Sequence, residues 1–229
     1  MGLKEENVIY LDCQTTGMSP KSAHLVEIAW GASLCEERAS HLVQIPEGAF
    51  FPRAAQAVTG LNSEMLKEGL EPSALRAELT SVYEKMAKPA FAVIHYAQFE
   101  RPFLEQLWGK GLPFQLICTQ KIAKKLLPQV PSRNIRALLC FLGGEAFAIQ
   151  RAAHHVAATE DIWRRLIPLL EAVGILKIED LLAWLGNPTA PAPKAKYEYR
   201  IDRLKRLELP KKPGVYRMLT SSGKILYVG

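Results

Sequence analysis

Three short stretches carry side chains that could do chemistry together. VIYLDCQTTG, residues 8 to 17, runs an apolar strand into Asp12, with Gln14 two residues later and the turn residues Thr15, Thr16 and Gly17 behind it. FAVIHY, 91 to 96, is a second apolar strand that ends on His95 and Tyr96, and the helix after it carries Phe99 and Glu100 in its first turn. HHVAATE, 154 to 160, opens a long helix with His155 and Glu160. A carboxylate delivered by a buried strand to a turn needs a partner charge, and a cation is the partner that suits it. His155 and Glu160 lie more than one helical turn apart, so they are not stacked, but both can flank a cleft at the helix start. Each residue also has a plainer reading. Asp12 could form a turn, Glu100 and Glu160 could be acids favoured by a helix dipole, and His154 reads as a polar residue at a helix N-terminus.

The elements that must position these groups follow from periodicity. HLVEIAWGASL (24 to 34) and HLVQI (41 to 45) read as strands, so the chain is expected to open with an antiparallel meander. PSALRAELTSVYEKMA (72 to 87) has helical spacing, with Ser73 as its expected N-cap. After the strand 91 to 96 come a helix over 98 to 108, a strand over 114 to 119, a glycine-stopped helix over 135 to 144 and a long helix over 154 to 174. Strands alternating with helices predict an α/β fold, a mixed sheet packed with helices on both sides.

Composition narrows the setting. The 229 residues are 48% hydrophobic, ordinary for a globular core, and carry a formal charge of +6. That charge is unevenly placed: residues 1 to 186 hold 19 Lys and Arg against 20 Asp and Glu, residues 187 to 229 hold 10 against 3. A basic extension beside a near-neutral domain suits a polyanion, and equally suits a solvated linker. No apolar run reaches the length of a membrane helix and MGLKEEN is no secretory signal, so a cytoplasmic protein is expected. Cys13, Cys35, Cys118 and Cys140 lack CxxC spacing and read as buried reduced thiols.

Three blocks, YLDCQTTG, HYAQFERPFL and HVAATE, occur in an order that resembles a known family. Residues 8 to 174 look like a DEDDh 3′-5′ exonuclease domain, the ribonuclease H-like type of the DNA polymerase III epsilon subunit. The family's motifs run FDxETTG, HNAxFDxxFL and HxAxxD, and AVTGLNSEML (57 to 66) resembles its HGIxxExL connection. The resemblance implies a metal-dependent exonuclease that holds two Mg2+ or Mn2+ ions and releases nucleotides from DNA 3′ ends. It implies Asp12, Gln14, Glu100 and Glu160 as the metal-binding set and His155 as general base. Thr15, Thr16, Gly17, His95, Tyr96 and Phe99 would contact nucleic acid. The chain departs from the pattern where Gln14 replaces a glutamate and where Glu100 and Glu160 replace aspartates, leaving three carboxylates in place of four.

The composition changes at NPTAPAPKAK, and residues 187–199 read as a Pro/Ala/Lys linker. Beyond it, LPKKPGVYRMLTSSGKILYVG predicts two strands around a Ser-Ser-Gly turn. This segment is similar to the opening of a GIY-YIG endonuclease domain of the excinuclease kind, with Tyr216 and Tyr227 as its first site residues. The expected organisation is an exonuclease-like domain over 1–186, the linker, and the truncated start of an endonuclease-like domain over 200–229. A replication or repair protein partner would suit such a fusion. The competing expectation is a degenerate exonuclease fold that binds nucleic acid or a partner for the attached endonuclease.

Overall fold

All eight side chains of VIYLDCQT, strand β1 (Val8–Thr15), are buried, so the strand has protein on both faces. The computed structural model describes residues 2–3, 8–32, 38–109, 111–145, 148–186, 217–219, 223 and 225–228. The chain divides into two compact units, Met1–Thr189 and Ala190–Gly229.

In the first unit β1 is the middle of a five-stranded sheet of order β3-β2-β1-β4-β5. Strands β2 (Leu25–Ala32) and β3 (Arg38–Leu42) continue from it as the expected antiparallel meander, while β4 (Phe91–Ile94) and β5 (Gln115–Cys118) run parallel to it. Side chains alternate across β1. Ile9, Leu11 and Cys13 enter one core with Leu75 and Leu79 of α3 (Pro72–Lys85) and Phe103 of α4 (Ala97–Trp108). Val8 and Tyr10 enter the other with Ile162, Trp163 and Leu166 of α7 (Ala152–Ala172). The sheet is thus mixed and covered by helices on both sides, as expected.

Shorter helices complete the unit: α1 (Arg53–Thr59), α2 (Ser63–Leu66), α5 (Thr119–Leu126), α6 (Ile135–Phe141) and α8 (Ile178–Gly186). Three local expectations change. Helix α3 takes Glu71 as N-cap and Pro72 at its first turn, not Ser73, because proline's fixed φ suits the first helical position. Strand β3 starts at Arg38, earlier than the expected 41. Cys140 is exposed on α6, while Cys13 and Cys118 are buried; Cys35 lies outside the described residues. Among the described residues no helix is long and apolar enough to cross a membrane.

The second unit is described by one antiparallel pair, β6 (Arg217–Leu219) with β7 (Ile225–Val228), in which Met218 is in register with Tyr227. Tyr216 and the linker 187–199 lie outside the described residues.

Candidate functional site

Alternation along β1 puts Tyr10, Asp12 and Gln14 on the face covered by α7, and the site forms where that row meets the first turns of the helix. Asp12 is buried. Its Oδ1 lies 3.4 Å from His155 Nδ1, and its Oδ2 accepts from Gln14 Nε2 at 3.2 Å. Burial pushes the Asp12 carboxyl above the usual range, although His155 and Gln14 pull it back. Burial likewise lowers the His155 imidazole, but the bond to Asp12 and the charges of Asp12 and Glu27 outweigh it, leaving the group above its ordinary value.

Glu100 arrives from the opposite layer, in the first turn of α4, and is buried. Burial drives its carboxyl well up, and the charge of Asp12 adds to this; hydrogen bonds with the backbone of Tyr96 and Cys13 act against it. Its Oε2 has no hydrogen-bond partner. The Cys13 thiol, which interacts with both acids, is raised first by burial and then by Glu100 and Asp12. Two interacting buried carboxylates, one with an orphaned oxygen, are the donor set a hard cation needs. The Gln14 amide oxygen is a third candidate ligand. This set fits a divalent cation at Asp12 and Glu100.

Glu160 is placed differently. It is buried on α7, and both its oxygens are held by arginines, Oε2 by Arg38 and Oε1 by Arg164. Among the described residues no three His, Cys, Asp or Glu side chains gather closely enough to enclose a metal. The structure therefore joins Asp12 directly to His155 and Gln14, links Glu100 to Asp12 electrostatically, and holds Glu160 in ion pairs with Arg38 and Arg164.

The remaining sequence-derived residues surround this centre. The Thr15 hydroxyl donates to the Gly17 carbonyl at 2.7 Å, and the Thr16 hydroxyl accepts from the His24 N–H at 2.9 Å, so both close the turn after β1. Tyr96 is 39% exposed and stacks on Phe99 with ring centroids 6.3 Å apart and planes 18° apart. His95 turns inward. It is 7% exposed, with Nδ1 2.9 Å from Thr119 Oγ1 and Nε2 3.0 Å from the Arg133 carbonyl.

Burial pushes His95 down to about 4, against the Arg133 hydrogen bond and with the charge of His155 acting in the same direction as burial. The unfolded chain then binds a proton near pH 6.5 that the folded chain refuses until about pH 4, so this stabilisation is complete above 6.5 and is lost as pH falls. The gap corresponds to about 3 kcal/mol. Urea unfolding at pH 7 and pH 4 should show a loss of stability about 3 kcal/mol larger in the wild type than in His95→Gln; equal losses would refute a neutral buried His95.

Two residues not singled out from the sequence hold the site in place. Glu27, in register with Gln14 on β2, is 1% exposed. Its Oε1 accepts from Arg151 Nε and Nη2 at 2.9 and 2.7 Å, and its Oε2 accepts from the Ala152 N–H at 3.0 Å. A β2 carboxylate therefore caps the N-terminus of the helix that carries His155, satisfying an N–H that the helix cannot. The signal available was a lone acid in the apolar run LVEIAW. His154 also turns back on this cap, its Nδ1 3.5 Å from the Arg151 N–H.

Comparison with known proteins agrees with this arrangement at the level of fold. No family model matches the chain. A Mycobacterium tuberculosis (strain CDC 1551 / Oshkosh) protein named as a candidate bifunctional exonuclease/endonuclease is 28% identical over 249 aligned residues, covering 100% of this chain and 36% of its own length. The chain thus spans about a third of that curated relative. Among solved structures, E. coli Exonuclease I in complex with a dT13 oligonucleotide is 14% identical with a TM-score of 0.61, over 78% of this chain and 46% of that one. Exonuclease X in complex with 5′ overhanging duplex DNA is 21% identical with a TM-score of 0.56, over 78% of this chain and 99% of that one. The ribonuclease H-like sheet flanked by helices is the fold these exonucleases share with the chain.

Proposed function

We propose that residues 1–186 form a divalent-cation-dependent 3′-5′ exonuclease domain acting on DNA ends, followed by a linker over 187–199 and the start of a GIY-YIG-like endonuclease domain from 200. The observation that carries this reading is the Asp12–His155 contact on β1 beside a second buried carboxylate, Glu100, which feels the charge of Asp12 and whose Oε2 is unpartnered. The M. tuberculosis relative, whose name joins the two activities, and the exonuclease fold of the structural neighbours support it.

Asp12 and Glu100 would hold the cation, Mg2+ or Mn2+, with the Gln14 oxygen assisting. A bound dication supplies Lewis-acid polarisation of the phosphodiester and a water acidic enough to attack it. His155 presents Nδ1 to Asp12, which leaves Nε2 as the atom that takes the proton from the attacking water. Its raised pKa means the accepting, neutral form grows as pH rises above the ordinary histidine range. The buried Glu27 carboxylate, paired with the part-exposed Arg151, holds the start of α7, and so the imidazole, against β1.

The test is digestion of a 5′-labelled single strand by the full chain with manganese. A ladder of shortened products, stopped by chelator, supports the nuclease; an intact strand favours the second reading, a fold that binds nucleic acid without cutting it. That second reading is motivated by Gln14 and by a Glu160 already neutralised by Arg38 and Arg164.

Either reading uses the Tyr96–Phe99 stack as a platform for a base. Base stacking on an aromatic ring is worth about 1–3 kcal/mol. Tyr96→Ala should weaken binding of a short single strand roughly 10-fold in fluorescence anisotropy, while Tyr96→Phe keeps it. Equal affinities for all three proteins would remove Tyr96 from the binding surface.

A further inference from the structure

The arginines around Glu160 reach it by two routes. Arg164 lies one helical turn further along α7, and its Nη2 is 2.6 Å from Oε1. Arg38 comes from β3 at the sheet edge, and its Nη2 donates to Oε2 at 2.5 Å. Between β3 and α7 it must cross β2. Arg38 is in register with Gly31, which is in turn in register with Tyr10 of β1. A Cβ on Gly31 would lie 3.4 Å from Arg38 Cγ and Nη1. The guanidinium therefore crosses the sheet where β2 carries no side chain, and arrives above Tyr10. The phenol of Tyr10 is raised by burial first, then by Glu160, with Arg164 and Arg38 opposing, which puts all four groups in one neighbourhood. Asp12 lies next along this face of β1.

Charge is thus divided across the site. Among the described residues neither Asp12 nor Glu100 is paired with a lysine or arginine, whereas Glu160 has two arginine partners. A dication at Glu160 would have to displace two charge-assisted hydrogen bonds and then sit beside two fixed positive charges.

We infer that the site takes one divalent cation, at Asp12 and Glu100, and that Arg38 and Arg164 fill with their own charge the place of a second cation at Glu160, where they bind the phosphodiester. The inference rests on the nuclease reading above and changes its metal count. Both side chains are more than half exposed, at 55% and 66%, so each is reachable from solvent while it holds Glu160. A guanidinium keeps its charge at any working pH and matches phosphate oxygens with paired N–H groups. The positive charge at that side of the site is then a permanent feature of the protein, independent of metal concentration.

The experiment is a count of Mn2+ ions bound per chain, by titration of the full chain with free Mn2+ followed by its electron paramagnetic resonance signal, for wild type and for Arg38→Gln/Arg164→Gln. Neither arginine belongs to the core, and a thermal melt verifies that the double variant is folded. The expected result is one ion in the wild type and two in the double variant, where Glu160 is released. Two ions in the wild type would overturn the inference and leave the nuclease reading standing. One ion in both proteins would overturn it equally, since the arginines would then not control the second place. No ion in the wild type would sink both the inference and the metal-dependent nuclease.

Discussion

Asp12→Ala is expected to reduce manganese-dependent release of nucleotides by about 1000-fold or more, read as the initial rate of ladder formation from a 5′-labelled strand. The side chain touches both His155 and Gln14 and interacts with Glu100, so on the proposed reading its loss removes a cation ligand and the group that orients the base. Charge stabilisation by a bound cation is worth several kcal/mol, and each 1.36 kcal/mol is a factor of ten. Asp12→Asn separates chemistry from folding. Asp12 is buried with its carboxyl pushed up, first by burial, so the charged form is costly to the metal-free fold. Removing the charge while keeping the shape should leave the melting temperature of the metal-free protein unchanged or higher, with the rate still lost. Wild-type rates in both variants would show that Asp12 is not at the reacting centre.

Arg151→Ala should lower stability by about 3 kcal/mol, a fall in melting temperature of roughly 10 °C for a chain of this size. Glu27 is 1% exposed, and without the guanidinium its carboxylate would keep only the Ala152 N–H and the Ser40 hydroxyl, the latter at 3.3 Å. The figure sits at the low end of the buried-pair range because the Arg151 side chain is itself 32% exposed. Adding Glu27→Gln to Arg151→Ala should recover part of the loss, since a neutral amide tolerates burial better than an unpaired carboxylate. Thermal melts of the two single variants and the double variant measure this directly. A melting temperature for Arg151→Ala within about 1 °C of wild type would mean the pair contributes nothing to holding α7 on the sheet.

The elements and the positions of the reactive groups along them are legible in the amino-acid order. The apolar run into Asp12 and the Thr-Thr-Gly turn behind it mark β1, whereas its burial on both faces, with Ile9, Leu11 and Cys13 in one core, is seen only in the fold. Helical spacing places Glu100 in the first turn of α4 and His155 near the start of α7. Each of those signals is spread over a dozen residues or fewer, so propensity and periodicity can carry it. The partners of these groups come from folding instead. Arg38 reaches Glu160 across 122 positions and Arg151 reaches Glu27 across 124, and both contacts exist because strand register sets Arg38 beside Gly31 and Glu27 beside Gln14. Likewise His95, which the family resemblance assigns to nucleic-acid contact, turns inward in the fold and bridges Thr119 and the Arg133 carbonyl. A charge written in the sequence has no fixed role until folding sets its neighbours and removes water, because burial and pairing act on it with comparable strength and opposite sign.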